Sequence, residues 1–578
     1  VIQTSAALRR GPCIAAGLLV GYLALAALLF HGAWANPGGR SIGPSGDPQQ
    51  IMWFLTWLPY AIAHQHNPLF TNWIVYPDGV NIMWNVSMTL PALLLWPVNA
   101  MFGPVVTYNA MTTAGVGLSS LVAYFAYQRL VSDRAAAATG ALLYGFSPFV
   151  TAQSAGHPQM ALAIFPPLLL ILLEGVLGPR RVRPRTAGAL IGATAAGQLL
   201  TGEELLFTTA LAALLGLAWL AALQRTAATE NLIRLIGMVP TMAVTFVLLA
   251  GYPLYVQVLG PQVIKGPTHE TVTPYSMDLL NPVVPTILTA FDPEPLRDLG
   301  RRFAGNSVEN TGYLGGVLVL LLVFIVVKWR SRLTVRWAGG FMVAMLVLSM
   351  GKHLHVAGYD TGIRLPWALF TKLPFGEHVL AVRLTVFCYL AAGLLVAFGL
   401  AQRHELGRRS AALVAVTSLA LVPLAPTPDY PATVDPIPAF FTAGARSIPE
   451  GSVVYVAPVG LPDLAYTMLW QAVAGMRFRM PTGYAFIPVG GRARLTPPSY
   501  LTDQLLAIED GQVAIPLDVA TRARIADELK RSRTSIVVAG PTSNQDAVVA
   551  RISEIVRRQP RQEGGVYVWE GIDPANVR

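Results

Sequence analysis

Long apolar runs alternate with short arginine-rich connections over the first three quarters of the chain. The runs fall at 12–34, 106–129, 135–153, 158–178, 187–202, 204–223, 235–257, 312–328, 336–351, 383–402 and 410–426. Each is about as long as a helix needs to be to cross the roughly 30 Å hydrocarbon layer. The pattern predicts a polytopic α-helical membrane region over 1–426 with about eleven transmembrane helices. From about 427 the period changes. A proline-rich linker, "APTPDYPATVDPIP", leads to short β-like runs, "GSVVYVAPV", "TSIVVAG" and "GGVYVWEG". These alternate with the helical stretches "DLAYTMLWQAVAG" and "QDAVVARISEIVRR", so 427–578 reads as a separate α/β domain. It carries no Gly-rich phosphate loop, and no nucleotide site is expected there.

Charge gives the orientation. Arg9-Arg10, "QRLVSDR", "GPRRVRPR", "QRTAATENLIR", "KWRSRLTVR" and "QRHELGRR" all fall on one side, the cytoplasmic one, provided that 88–103 does not span. That segment, "MTLPALLLWPVNAMFG", holds two prolines between Trp84 and Trp96 and suits an interfacial helix. The expected topology is N-in and C-out. The first outer loop is 35–105, the second large one is 258–311, and the α/β domain is extracytoplasmic. The first run is longer than a leader's apolar region and reads as a retained helix. An odd span count without internal repeats argues against the inverted-repeat plan of transporters.

Composition agrees: 53% of the 578 residues are hydrophobic and 12% charged, with mean hydropathy +0.51. The net charge of +10 reads as loop arginines facing anionic lipid, not as a nucleic-acid surface. Cys13 and Cys388 both sit in apolar runs, which indicates neither a disulfide nor a metal site. Val1 reads as the product of an alternative start codon, which points to a bacterial chain and its plasma (inner) membrane.

Polar residues beside spans carry the candidate chemistry, because they are costly there. Nearly all lie at the outer ends. Asp47 opens the first loop and is followed by Pro48, so it also suits the start of the 49–64 helix as its N-cap. Asp78 stands in the turn "VYPDGVN" beside Tyr76, and an Asp before Gly is often only a turn former. His157 and Gln159 end the fourth run, and Glu203 and Glu204 form a tight turn between two others. The second large loop adds Lys265, His269, Glu270, Asp278, Arg301, Arg302, Glu309 and Asn310. His353 and His355 follow, and would form a metal pair only with a third ligand. Arg383 opens the tenth run at lipid-phosphate depth. Trp53, Trp57, Trp73 and Tyr76 suit either sugar stacking or interfacial anchoring.

An acidic residue just after the first span (Asp47), interfacial helices in a long first outer loop ("NPLFTNWIVYPDGVNIMWNVSMTLPALLLWPVNAMFGPVVTYNA") and a multi-span core together resemble the GT-C superfamily. Its members are integral-membrane glycosyltransferases that use polyprenyl-phosphate sugars. The likeness covers about 10–426 and rests on short motifs. It implies inverting transfer of a hexosyl or pentosyl unit from a polyprenyl-phosphate donor to an extracytoplasmic glycan, glycolipid or protein, with Asp47 as base. Arg383, Arg301, Arg302, Lys265, His353 and His355 would serve the donor phosphate. Asp78, Tyr76, His157, Gln159, Glu203, Glu204, Glu309 and Asn310 would serve the sugar or acceptor. Where the family often has a second acidic residue beside the first, Pro48, Gln49 and Gln50 stand here, which leaves a divalent cation (Mg or Mn) open. The alternatives are a lipid-linked-sugar flippase or transporter, which predicts charge along a mid-membrane path, and a non-catalytic envelope-assembly protein, in which Asp47 would be dispensable.

Overall fold

The structure, a computed structural model, describes residues 5–179, 182–266, 268, 275–286, 288–306, 308–373, 376–458, 465–512 and 515–577. His269, Glu270, Arg180 and Arg181 lie outside the described residues. The chain forms two compact units, each built from separated segments. One comprises Val1–Gly32, Met111–Gly251 and His269–Pro431; the other comprises Ala33–Ala110, Tyr252–Thr268 and Ala432–Arg578.

Helix occupies most of each of the eleven apolar runs. Among the described residues, seven helices are long and apolar enough to cross a membrane: Pro12–Leu29, Arg134–Gln153, Pro158–Leu177, Glu203–Leu223, Ala228–Leu259, Ala381–Ala401 and Arg403–Leu424. Gly316–Lys328 and Leu333–Ser349 are apolar but shorter. The protein is a polytopic helical membrane protein.

The first unit is organised around Thr385–Ala401. This helix is apolar on every face, and such a helix is stable only when surrounded; Val386 through Ala397 are all buried. It meets Arg134–Gly145 at a glycine contact. A Cβ built on Gly140 would run into the carbonyl oxygen of Gly393, and one on Gly393 into that of Gly140. Small residues allow this close approach, and dispersion between the backbones holds it. The Tyr127 hydroxyl donates to the Leu390 carbonyl at 2.8 Å. The start of the partner helix is fixed by Asp133, which accepts from the Ala136 N–H at 3.0 Å and from Arg403 Nη1 at 2.5 Å.

The second unit contains a four-stranded sheet in the order Arg561–Glu563, Val566–Glu570, Ile536–Ala539, Val454–Ala457, with the last pair parallel and the others antiparallel. Its core gathers Tyr455, Val537, Trp569, Ile525, Leu529 and Ile552. The three expected strands are present, and Tyr466–Val473 and Gln545–Val556 take the two expected helical stretches. Helices Tyr500–Glu509 and Val519–Ser532 are additional. Asp518 starts the latter by accepting from the Thr521 N–H at 2.7 Å.

The same unit includes helix Asp47–Ala63 and a ribbon pairing Arg40–Ile42 with Ala432–Val434, Arg40 opposite Val434. Two expectations change here. Gly46, at φ 120°, is the N-cap, and Asp47 lies one residue inside the helix. Gly46 adopts this left-handed φ at little cost, while its N–H donates to Gln49 Oε1 at 2.6 Å. Trp53 and Trp57 are core residues, neither exposed to a sugar nor anchored at an interface. Both are fully buried, their rings stack at 5.5 Å, and Trp53 Nε1 donates to Gln471 Oε1 at 2.5 Å. The segment 88–103 divides between the short helix Thr89–Leu94 and the first turns of Trp96–Leu130, broken at Gly103 (φ 80°).

Candidate functional site

The first unit brings six of the predicted residues to one place. Glu203 and Glu204 form the first turn of Glu203–Leu223, directly after Gly202. Arg383 lies in the 3-10 turn Ala381–Leu384 that leads into the central helix. Glu309 sits in a turn closed by Asn306, whose side chain accepts from the Glu309 N–H at 3.0 Å. Arg383 grips Glu309 with two parallel bonds, Nε to Oε2 at 3.0 Å and Nη2 to Oε1 at 2.5 Å. Its Nη1 donates to Glu204 Oε2, and the other Glu204 oxygen accepts from the Leu380 N–H at 2.9 Å. Gln153 Nε2 donates to Glu309 Oε2 at 3.1 Å, and His157 Nδ1 stands 3.7 Å from Glu309 Oε1. Gln159 packs against Gly202, where an added Cβ would lie 3.2 Å from its Cγ.

The cluster is shielded: the Glu309 side chain is 3% exposed and that of Arg383 11%. Burial opposes the charge on Glu309, but the Arg383 guanidinium and its hydrogen bonds, His157 and Gln153 outweigh it. The carboxyl is held below the usual carboxylate range. The fork geometry needs arginine, since a lysine could not serve both carboxylates in plane. Arg383 is therefore committed to two carboxylates, which corrects the expectation of a cation open to a phosphate.

Other predicted residues of this unit have different partners. Asn310 is buried, with its N–H bonded to the Asn306 carbonyl at 3.1 Å. Arg301 and Arg302 are exposed beyond helix Glu294–Gly300, with Arg301 3.5 Å from Asp298. His353 and His355 lie on one strand of a hairpin. His353 Nδ1 contacts Asp360 Oδ2 at 3.1 Å, and His355 Nδ1 lies 3.1 Å from the His353 carbonyl. Among the described residues no three His, Cys, Asp or Glu side chains converge as metal ligands. Asp278 is structural, accepting from the Ala357 and Gly358 N–H groups at 3.1 and 2.8 Å.

In the second unit Asp47 is half-buried and accepts from the Tyr484 hydroxyl at 2.8 Å. Gln50 Nε2 donates to the Tyr484 carbonyl at 2.7 Å, fixing that residue from the next turn of the helix. Gln49 Nε2 donates to Asp435 Oδ1 at 2.6 Å. Asp435 is buried, and desolvation pushes its carboxyl up to about 6 despite the Gln49 bond. Asp78 is exposed and paired with Arg531 at 2.6 and 2.9 Å. Tyr76 and Trp73 flank Arg479, whose guanidinium lies 5.4 and 4.5 Å from their ring centres. Lys265 is exposed, with its backbone N–H on the Gly491 carbonyl at 3.1 Å.

Sequence reasoning missed Gln153 and Asp435. Gln153 ends an apolar run and carried no motif, whereas Asp435 lies in "TVDPIP", inside the stretch read only as a proline-rich linker.

A family model described as a domain of unknown function (DUF6311) matches residues 18–422, and the chain belongs to that family. No curated protein sequence matches it. Among solved structures, the arabinofuranosyltransferase AftD from Mycobacteria superposes with a TM-score of 0.53 at 15% identity, covering 97% of this chain and 40% of AftD. The oligosaccharyltransferase AglB from Archaeoglobus fulgidus, in complex with an inhibitory peptide and a dolichol-phosphate, gives 0.49 at 13%, covering 94% and 72%. ArnT from Cupriavidus metallidurans gives 0.48 at 12%, covering 96% and 98%. At such identities the likeness is one of fold, and the AftD comparison carries it: the chain has a GT-C-type fold.

Proposed function

We propose that the protein is a GT-C-type glycosyltransferase that moves a sugar from a polyprenyl-phosphate donor to an extracytoplasmic acceptor, with inversion. The observation that carries this reading is Asp47. On a GT-C-type fold, it is a half-buried carboxylate at the start of a rigid helix, held by the Tyr484 hydroxyl. A general base needs to be fixed yet reachable, and this residue meets both conditions. Asp47 takes the proton of an acceptor hydroxyl as its oxygen attacks the anomeric carbon. The bond from that carbon to the phosphate oxygen breaks, and polyprenyl phosphate leaves with the electron pair. A phosphate monoester is acidic enough to leave unprotonated, so it needs fixed positive charge and no general acid.

Arg383 serves this reading as the clamp that holds Glu204 and Glu309 in place, and these two, with His157 and Gln159, are candidate sugar or acceptor ligands. Arg301, Arg302 and Lys265 keep exposed side chains and are the candidates to meet the phosphate. This reading places the protein in a bacterial inner membrane, and the arginine distribution supports a reaction on the outer face. The test is transfer by purified full-length protein from a polyprenyl-phosphate sugar. Asp47→Asn should abolish transfer while the lipid donor still binds, and unchanged turnover would overturn the assignment.

A further inference from the structure

Helices Phe165–Leu177, Glu203–Leu223 and Leu333–Ser349 of the first unit leave a groove of about 510 Å³. Its floor is the central helix, through Phe387, Leu390 and Leu394, and Leu173 and Leu217 stand in its walls. An apolar cleft left empty forfeits dispersion contacts along its whole lining, and within a bilayer the material at hand to fill it is a lipid chain. One end of the groove is different. Glu174 is the single charged residue among those lining it, and Arg129 Nη1 donates to its carboxylate at 3.2 Å. An ionisable residue on an otherwise apolar helix is costly and marks a function by default.

The arrangement of charge selects the ligand. The carboxylate lines the groove and is 11% exposed, while the guanidinium beside it is 29% exposed. A lipid whose headgroup is only anionic would bring negative charge against Glu174. A headgroup with both an ammonium and a phosphate meets each protein charge with its opposite, and a primary ammonium adds N–H donors for the carboxylate. We propose that this groove is a binding site for one aminophospholipid of the phosphatidylethanolamine kind. One acyl chain lies along Phe387, Leu390 and Leu394, the ammonium on Glu174 and the phosphate on Arg129. Its test is independent of the transfer reaction, because lipid retention is read without turnover.

The experiment is native mass spectrometry of the delipidated full-length protein, with phosphatidylethanolamine and phosphatidylglycerol of matched chains added back in equal amounts. The wild type should retain phosphatidylethanolamine about tenfold over phosphatidylglycerol, the scale expected where one charge attraction takes the place of one repulsion. Glu174→Gln should erase that preference while still holding lipid. Ala213→Trp, which fills the groove, should cut retention of both lipids about tenfold with an unchanged melting profile. Equal retention of the two lipids by the wild type overturns the proposal. So does a preference that survives Glu174→Gln, or retention that survives Ala213→Trp. If Glu174→Gln does not fold, the wild-type ratio and Ala213→Trp decide the matter alone.

Discussion

Replacing Arg383 by methionine keeps the length and apolar bulk of the side chain but removes the guanidinium. Glu204 and Glu309 then remain in the same buried place without the cation they share. Taking one partner from a buried pair costs about 3–5 kcal/mol, because the charge left behind has lost both water and its counter-ion. Glu309→Gln removes one carboxylate and leaves Arg383 with Glu204, an amide oxygen standing where the carboxylate accepted. Its cost should be about 1.5–3 kcal/mol, the range for hydrogen bonds to charged groups. Against a typical stability of about 5–15 kcal/mol, the first loss is a large share and the second a tolerable one. The assay is unfolding of the full-length protein in detergent, followed by tryptophan fluorescence and read as unfolding rates where refolding fails.

The pH dependence has a definite sign. Glu309 has its folded pKa below the unfolded value, so its contribution is complete above the unfolded pKa near 4.3 and is lost as pH falls through the folded value. The gap between wild type and Glu309→Gln should be flat from about pH 5 to 8 and shrink below about pH 4. Unfolding of Arg383→Met within about 0.5 kcal/mol of wild type, or a Glu309→Gln penalty as large as that of Arg383→Met, would refute the reasoning.

Three further variants can be checked. Gly140→Leu puts a side chain where the Gly393 carbonyl stands, so it should abolish monodisperse protein on size exclusion, while Gly103→Ala, whose added Cβ meets nothing, should cost about 1–3 kcal/mol, because φ 80°, ψ 177° is open almost only to glycine. Asp435 has its folded pKa raised to about 6, so burying it costs stability progressively as pH rises from the unfolded value near 3.9 to about 6, and in full above that. Asp435→Asn, which keeps an acceptor for Gln49, should stabilise the protein by on the order of 2–3 kcal/mol at pH 8 and by about half that at pH 5, and leave it unchanged near pH 3, measured by melting across that range.

The membrane helices were legible because each announces itself within about twenty residues, and the sheet strands because β-branched runs between turn residues are local signals. Asp47, Glu203, Glu204, Glu309 and Arg383 stood out for the same reason, being charges placed where charge is costly. What they bind did not. Arg383 finds Glu309 at a separation of 74 residues and Glu204 at 179, and no periodicity records a pairing at that range. The tryptophans of Asp47–Ala63 were misread by composition, since aromatics suit an interface and a core equally well. Gln471, the partner of Trp53, lies 418 residues away. The helix start was off by one residue because Gly46 caps with its backbone, and a backbone cap leaves no side-chain signature.

The ribbon that joins Arg40–Ile42 to Ala432–Val434 also sets a schedule for synthesis. Gly43 waits for Thr433, 390 residues later, and at about 5–20 residues per second the ribosome needs roughly 20–80 s to deliver it. Through that interval the tryptophan face of Asp47–Ala63 has emerged but its native cover has not. Something must shield it meanwhile: the lipid surface, a chaperone, or a provisional packing that the late strand displaces. The nascent chain is most open to misassembly in this window, and a pause or truncation before residue 432 would strand it there.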